Sequence, residues 1–136
     1  MQIMIDTNVL ISIFLFPSTQ MLSLVDVITG KHTIVLPTYV LDELKGVFKR
    51  KFPQKYSQLD KFLQELPYTL AYTPEKIDVG KYPYIRDKKD LPILVAAILE
   101  DVDILITGDL DFASVEIKRP EIMTPAEFME RYAENS

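Results

Sequence analysis

Residues 2–5, 33–36 and 103–107 are short apolar runs with no polar residue alternating inside them, and helix-length stretches lie between them. An unbroken apolar run is how a strand reads when both of its faces are covered. That requirement belongs to a parallel sheet with helices packed on either side, because parallel strands need long crossover connections. The rest of the chain fits the same alternation. Residues 9–16 form an apolar helix closed by Pro17, and Ser18 caps a second helix with Met21, Leu22, Val25 and Ile28 at helical spacing up to Gly30. Pro37 and Thr38 open a third, with Val40, Leu41, Leu44, Val47 and Phe48 on one face. After Pro53 a fourth carries Tyr56, Leu59, Leu63 and Leu66 as far as Pro67. A short strand is expected over 69–72, then a loop over 73–89 punctuated by Pro74, Gly80 and Pro83. Leu91, Leu94, Val95, Ile98 and Leu99 predict a fifth helix with Pro92 in its first turn, where the missing N–H costs little. Residues 108–112 read as a tight polar turn. A last strand near Ile122 and Met123 runs into Thr124-Pro125-Ala126-Glu127, the signature of a capping box that starts a C-terminal helix.

Within this frame the acidic residues fall in a pattern. Polar groups just beyond the carboxyl ends of parallel strands share one edge of the sheet, and that edge is where such folds place ligands. Asp6 follows the first strand, and Asp109 and Asp111 follow the strand ending near Thr107. Asp87 and Asp90 precede the fifth helix, and Glu43 lies in the second turn of the helix after the second strand. Each has an ordinary explanation alone. Asp6, Asp87 and Asp90 could cap helices, Glu43 could favour a helix N-terminus, and Asp109 and Asp111 could be turn residues. Capping does not require every strand end along one edge to be acidic, however, and clustered like charges are costly without a compensating cation. An all-oxygen donor set suits Mg²⁺ or Mn²⁺, ions that activate water and stabilise charge on a phosphoryl group. The chain has no Cys, so disulfides and thiolate metal sites are excluded, and one His, so no histidine pair is available for metal-free acid–base cleavage of RNA.

Net charge is −5, which argues weakly against a nucleic-acid partner, but the charge is unevenly distributed. Residues 45–61 hold Lys45, Lys49, Arg50, Lys51, Lys55 and Lys61 against the single acid Asp60, whereas the stretch from Glu100 onward holds ten acids and three bases. A basic face and an acidic centre can coexist on one small domain, although such runs are often simply solvated helix faces. No apolar run is long enough to span a bilayer. The opening Met1-Gln2-Ile3-Met4-Ile5-Asp6 has neither a basic leader nor a cleavage site, so a cytoplasmic protein is expected, as a single domain over 1–136.

Taken in order, the blocks resemble the PIN-domain family, including VapC-like toxins. Met4-Ile5-Asp6-Thr7-Asn8-Val9-Leu10-Ile11 is similar to the family's opening, and Asp42-Glu43-Leu44 to its acidic position after the second strand. Arg86-Asp87-Lys88-Lys89-Asp90 resembles its third block and Ile106-Thr107-Gly108-Asp109-Leu110-Asp111-Phe112 its fourth. The ending 122–128 is similar to that of a subgroup of PIN-family toxin components. The resemblance implies a three-layer α/β/α sandwich around a mostly parallel sheet of about five strands. It also implies Mg²⁺- or Mn²⁺-dependent cleavage of RNA, with Asp6, Glu43, Asp90 and Asp109 as the acidic quartet and Asp111 as a further metal ligand. Thr7, Asn8, Asp87 and Thr107 would then support the site. Lys45, Lys49, Arg50, Lys51, Arg86, Lys88 and Lys89 would hold the RNA backbone, with Tyr39, Tyr56, Tyr82 and Tyr84 as candidates for base stacking. A homodimer and a small antitoxin protein are the partners such a resemblance implies.

Two other readings share parts of this pattern. A Mg²⁺-dependent receiver-like domain also gathers acids at strand ends, but it needs an Asp after the third strand and a Lys after a late one. The corresponding segments here are Thr73-Pro74 and Gly108-Asp109. A PIN-like module that binds nucleic acid or protein without catalysis would have no need of an intact quartet.

Overall fold

A computed structural model describes residues 1–133. Five strands form one sheet: β1 (Gln2–Ile5), β2 (Thr33–Pro37), β3 (Tyr68–Ala71), β4 (Ile104–Ile106) and β5 (Glu121–Met123). Their order is β3-β2-β1-β4-β5 and every pairing is parallel, with Ile3 registered against Ile34 on one side and Ile104 on the other. The helices are α1 (Thr7–Leu15), α2 (Thr19–Lys31), α3 (Thr38–Lys51), α4 (Tyr56–Glu65), α5 (Leu91–Leu99), α6 (Leu110–Ala113) and α7 (Pro125–Tyr132), and they make the sheet the middle layer of an α/β/α sandwich.

The central strands explain their own sequences. Ile3, Met4 and Ile5 of β1, and Ile104, Leu105 and Ile106 of β4, are all buried, because these strands have helices on both faces. Helix α5 is apolar nearly all round, with Leu91, Ile93, Leu94, Val95, Ala96 and Ala97 buried. A helix without a polar face must be enclosed, so the start of α5, and Asp90 with it, is drawn inward. Phe48 of α3, Phe112 of α6 and Phe128 of α7 are fully buried and join the same hydrophobic cluster as the strands.

Local differences from the sequence reading have simple causes. The third strand begins at Tyr68 rather than Thr69. It is an edge strand whose middle residues face solvent, so little apolar signal marks its bounds. Pro37 both closes β2 and stands as the N-cap residue of α3, whose first helical residue is Thr38; at a strand end its missing N–H breaks no ladder within the strand. The polar turn after β4 becomes the short helix α6, because Asp109 accepts the N–H of Asp111 at 2.9 Å and Phe112 anchors the turn in the core. The capping box of α7 forms as expected: Glu127 N–H donates to Thr124 Oγ1 at 3.1 Å and Thr124 N–H to Glu127 Oε1 at 3.0 Å. No helix among the described residues is long and apolar enough to cross a membrane.

Candidate metal centre at the sheet's switch point

Chain order along the sheet reverses between β1 and β4: from β1 the connections run out to β2 and β3, then return to β4 and β5 on the other side. Loops leave that point in opposite directions and open a crevice at the carboxyl ends of the two strands. Asp6 stands directly after β1, and Thr107, Gly108 and Asp109 directly after β4. Backbone bonds extend the ladder into this edge, with Asp6 N–H donating to Ile106 O at 3.0 Å and Thr107 N–H to Met123 O at 2.9 Å.

Asp6 and Asp90 are the buried carboxylates here, 3% and 9% exposed, and neither caps the helix it precedes. Asp6 Oδ2 instead accepts the Thr107 hydroxyl at 2.7 Å, across the switch point. The same Thr107 oxygen accepts the N–H of Asp109 at 3.0 Å, so one hydroxyl links the two strand ends. Burial raises the Asp6 pKa. Hydrogen bonds from Thr107 and the Thr7 backbone oppose the rise, while the charges of Glu43 and Asp109 add to it. Asp90 is pushed up to about 8, first by burial, then by the hydrogen bond and charge of Asp109, with Asp6 and Asp87 contributing. While Asp90 is protonated, its carboxyl can donate to the Asp109 carboxylate. Its Oδ2 is buried and has no hydrogen-bond partner among the described residues.

Glu43 reaches the same edge from α3: its Oε1 accepts the buried Thr7 hydroxyl at 2.5 Å, and its charge is felt at Asp6. Asp42, one residue earlier, lines a different cavity with Tyr72, Thr73 and Glu75. Glu43, not Asp42, therefore faces the acidic group. Asp87, Asp90 and Asp111 each bring a carboxylate oxygen within 4.8 Å of the others. Asp111 is also paired with Arg86 Nη2 at 2.7 Å. Asp87 accepts the Lys89 N–H at 3.0 Å, an Asx turn that shapes the approach to α5. Of the acids read as possible caps, Asp87 makes an Asx turn ahead of α5, and the side chains of Asp6 and Asp90 make no cap bond; Asp109, read as a turn residue, caps α6.

Asn8 is exposed and lines a cavity of about 240 Å³ with Ser12, Met21, Gly108 and Asp109, so it borders the acidic edge through Asp109. The basic residues are spread more widely. Arg86, Lys88 and Lys89 are exposed on the segment that carries Asp87 and Asp90. Lys49, Arg50 and Lys51 are exposed in the last turn of α3, with Lys45 one turn nearer Glu43 and partly buried. Of the aromatic candidates, Tyr84 is 82% exposed, whereas Tyr56 carries the Lys49 ammonium 5.4 Å over its ring. Tyr39 belongs to the acidic group in a way that reading it as a stacking residue misses. Its hydroxyl donates to the Lys89 carbonyl at 3.0 Å, and burial raises its pKa together with the charges of Glu43, Asp90, Asp87 and Asp6. The signal was available in the four-residue spacing from Tyr39 to Glu43, which puts both on one face of a helix.

The donor set fits a hard divalent cation. It is made only of carboxylates, two of them buried, with the pKa of Asp90 raised by burial and by the acids around it and with a buried oxygen left unsatisfied. Fold and site together define an α/β/α protein with an acidic crevice at the switch point of a parallel sheet. A family model described as PIN domain matches residues 2–111, and the chain belongs to that family. Among solved structures, the chain is similar to a chain of the crystal structure of VapBC2 from Rickettsia felis bound to a DNA fragment from their promoter. The TM-score is 0.68 and the identity 24%, over 90% of this chain and 97% of that one. A comparison with curated proteins gives no match.

Proposed function

We propose that the chain is a single nuclease domain that hydrolyses RNA phosphodiester bonds with the help of Mg²⁺ or Mn²⁺, acting in the cytoplasm as the toxin of a toxin–antitoxin pair. The observation that carries the reading is the pair Asp6 and Asp90. Both carboxylates are buried at the switch point, both decline to cap the helices behind them, and Asp90 keeps an unsatisfied oxygen. Burial raises the pKa of both, a cost to their charged forms that a bound cation would offset.

Asp6, Glu43, Asp90 and Asp109 would hold the ion, with Asp111 as a further ligand and Asp87 beside it. When bound, the ion supplies Lewis acidity at the phosphate and lowers the pKa of water. Thr107 and Thr7 fix the Asp6 and Glu43 carboxylates through their hydroxyls, so these acids do not have to be ordered at the moment of reaction. Arg86, Lys88 and Lys89 lie beside the acids and would neutralise the phosphates nearest the cut, and Lys45, Lys49, Arg50 and Lys51 those further along the strand. The toxin role rests on family membership and on the fold shared with a protein crystallised as VapBC2. It carries with it a small antitoxin as partner and a homodimer as the working form.

The test is cleavage of a labelled RNA by the purified chain. Activity should disappear in EDTA, return with Mg²⁺ or Mn²⁺, and leave 5′-phosphate ends. Cleavage that persists in EDTA and leaves cyclic phosphates would exclude the metal mechanism. Metal binding and RNA binding with no cleavage would identify a binding module instead.

A further inference from the structure

Tyr39 occupies the second position of α3, one turn before Glu43. Its backbone is anchored: Tyr39 N–H donates to Thr73 Oγ1 at 3.3 Å, and Thr73 N–H donates back to Thr38 Oγ1 at 3.0 Å. From this fixed base the phenol hydroxyl reaches the Lys89 carbonyl at 3.0 Å, across 50 residues of sequence. Lys89 immediately precedes Asp90. The segment 86–91 is a turn closed on itself by Lys89 N–H to Asp87 Oδ1 at 3.0 Å, Asp90 N–H to Asp87 O at 3.1 Å and Leu91 N–H to Lys88 O at 3.3 Å. Those bonds fix the shape of the turn but not its place relative to the helix that carries Glu43. Arg86 ties the turn to α6 through Asp111, and its side chain is 78% exposed. Tyr39 ties it to α3.

We propose that Tyr39 is a positioning residue of the metal centre: its hydroxyl bond to the Lys89 carbonyl holds Asp87 and Asp90 in the register with Glu43 that a shared divalent ion requires. The proposal rests on the metal reading given above. A ring that served only the core would need no hydroxyl, and Tyr39 does pack against the core with its ring. The Tyr39→Phe substitution keeps that packing and removes only the bond. Groups that hold a ligand in place commonly carry about 10- to 100-fold in metal affinity.

Wild type and Tyr39→Phe are compared in two measurements on the full chain. Hydrogen exchange in EDTA should show faster exchange at the amides of 88–91 in the variant, with the strand amides unchanged. Calorimetric titration with Mn²⁺ should show binding weakened about tenfold. Unchanged exchange at 88–91, or a Mn²⁺ affinity within twofold of wild type, overturns the proposal. A lowered melting temperature with unaltered Mn²⁺ affinity has the same effect, since that is what a purely structural tyrosine predicts. If wild type itself binds no Mn²⁺, the metal reading fails, and the exchange result then shows separately whether the tie exists.

Discussion

Asp90→Asn should make the metal-free protein more stable, and by an amount that grows with pH. In the folded chain the Asp90 pKa is raised from 3.8 to about 8, by burial and by Asp109. In the unfolded chain it returns to about 3.9. Between these values the folded state binds the proton that the unfolded state has lost. The stability Asp90 contributes is therefore complete below about pH 4 and is lost as pH rises towards about 8. At about 1.36 kcal/mol per unit the whole shift sets a ceiling of about 6 kcal/mol. Relaxation around the site and the high effective dielectric found even at buried positions keep the realised effect well below that ceiling, so about 2 kcal/mol is the expected size. Asn keeps the shape and can donate to Asp109 as protonated Asp90 does, yet it cannot ionise. The two proteins should thus melt together near pH 4. By pH 9 the variant should melt higher by about 7 °C, taking about 3–4 °C per kcal/mol for a domain of this size. Thermal melts in EDTA at pH 4, 7 and 9 make the comparison. Excess Mn²⁺ should then reverse the order at pH 7: wild type gains about 2.7 kcal/mol at a hundred times its Kd, and the variant gains little. A gap that does not change with pH, or an Asn variant that is less stable at pH 9, would refute the reasoning. Asp90 would then be an ordinary residue at the start of a helix.

Reversing Lys49, Arg50 and Lys51 to Glu should weaken RNA binding and flatten its salt dependence by about 0.7 in logarithmic slope for each phosphate no longer neutralised. Mn²⁺ affinity should hardly change, because exposed charges beyond about 10 Å are screened; unchanged filter-binding curves across salt would reduce the stretch to a solvated helix face. Thr107→Val removes the donor that Asp6 Oδ2 uses at 2.7 Å. It should destabilise the chain by about 1–3 kcal/mol through the unsatisfied carboxylate and weaken Mn²⁺ binding as well, and urea titrations with normal stability would show that the hydroxyl is dispensable.

The part of this protein that could be read from sequence is the part fixed by burial. Ile3 to Ile5 and Ile104 to Ile106 have helices on both faces, so their covering is written as uninterrupted apolar residues, and the parallel sheet follows from them. The acids after β1 and β4 could be assigned to one edge for the same reason, since parallel connections leave them no other. Distance was not legible. Spacing along the chain says that Asp87, Asp90 and Asp111 share an edge, but it does not say that their oxygens meet within 4.8 Å while Asp6 is drawn to Thr107. Nor does it say that Tyr39 turns its hydroxyl towards Lys89 when its ring would suit the core equally well. Those choices are made by side-chain hydrogen bonds across 50 to 101 residues, and no local propensity encodes them. Capping shows the limit most clearly. Asp6, Asp87, Asp90 and Asp109 all stand where a helix or turn begins, and the sequence gives each an ordinary claim to be a cap or a turn residue. What separates them is that Asp87 and Asp109 accept N–H groups two residues on, whereas Asp6 and Asp90 make no such bond and are carried inward by the apolar elements they adjoin. The acids that look least like caps in the folded protein are therefore the ones that burial costs most, and a divalent cation would offset that cost.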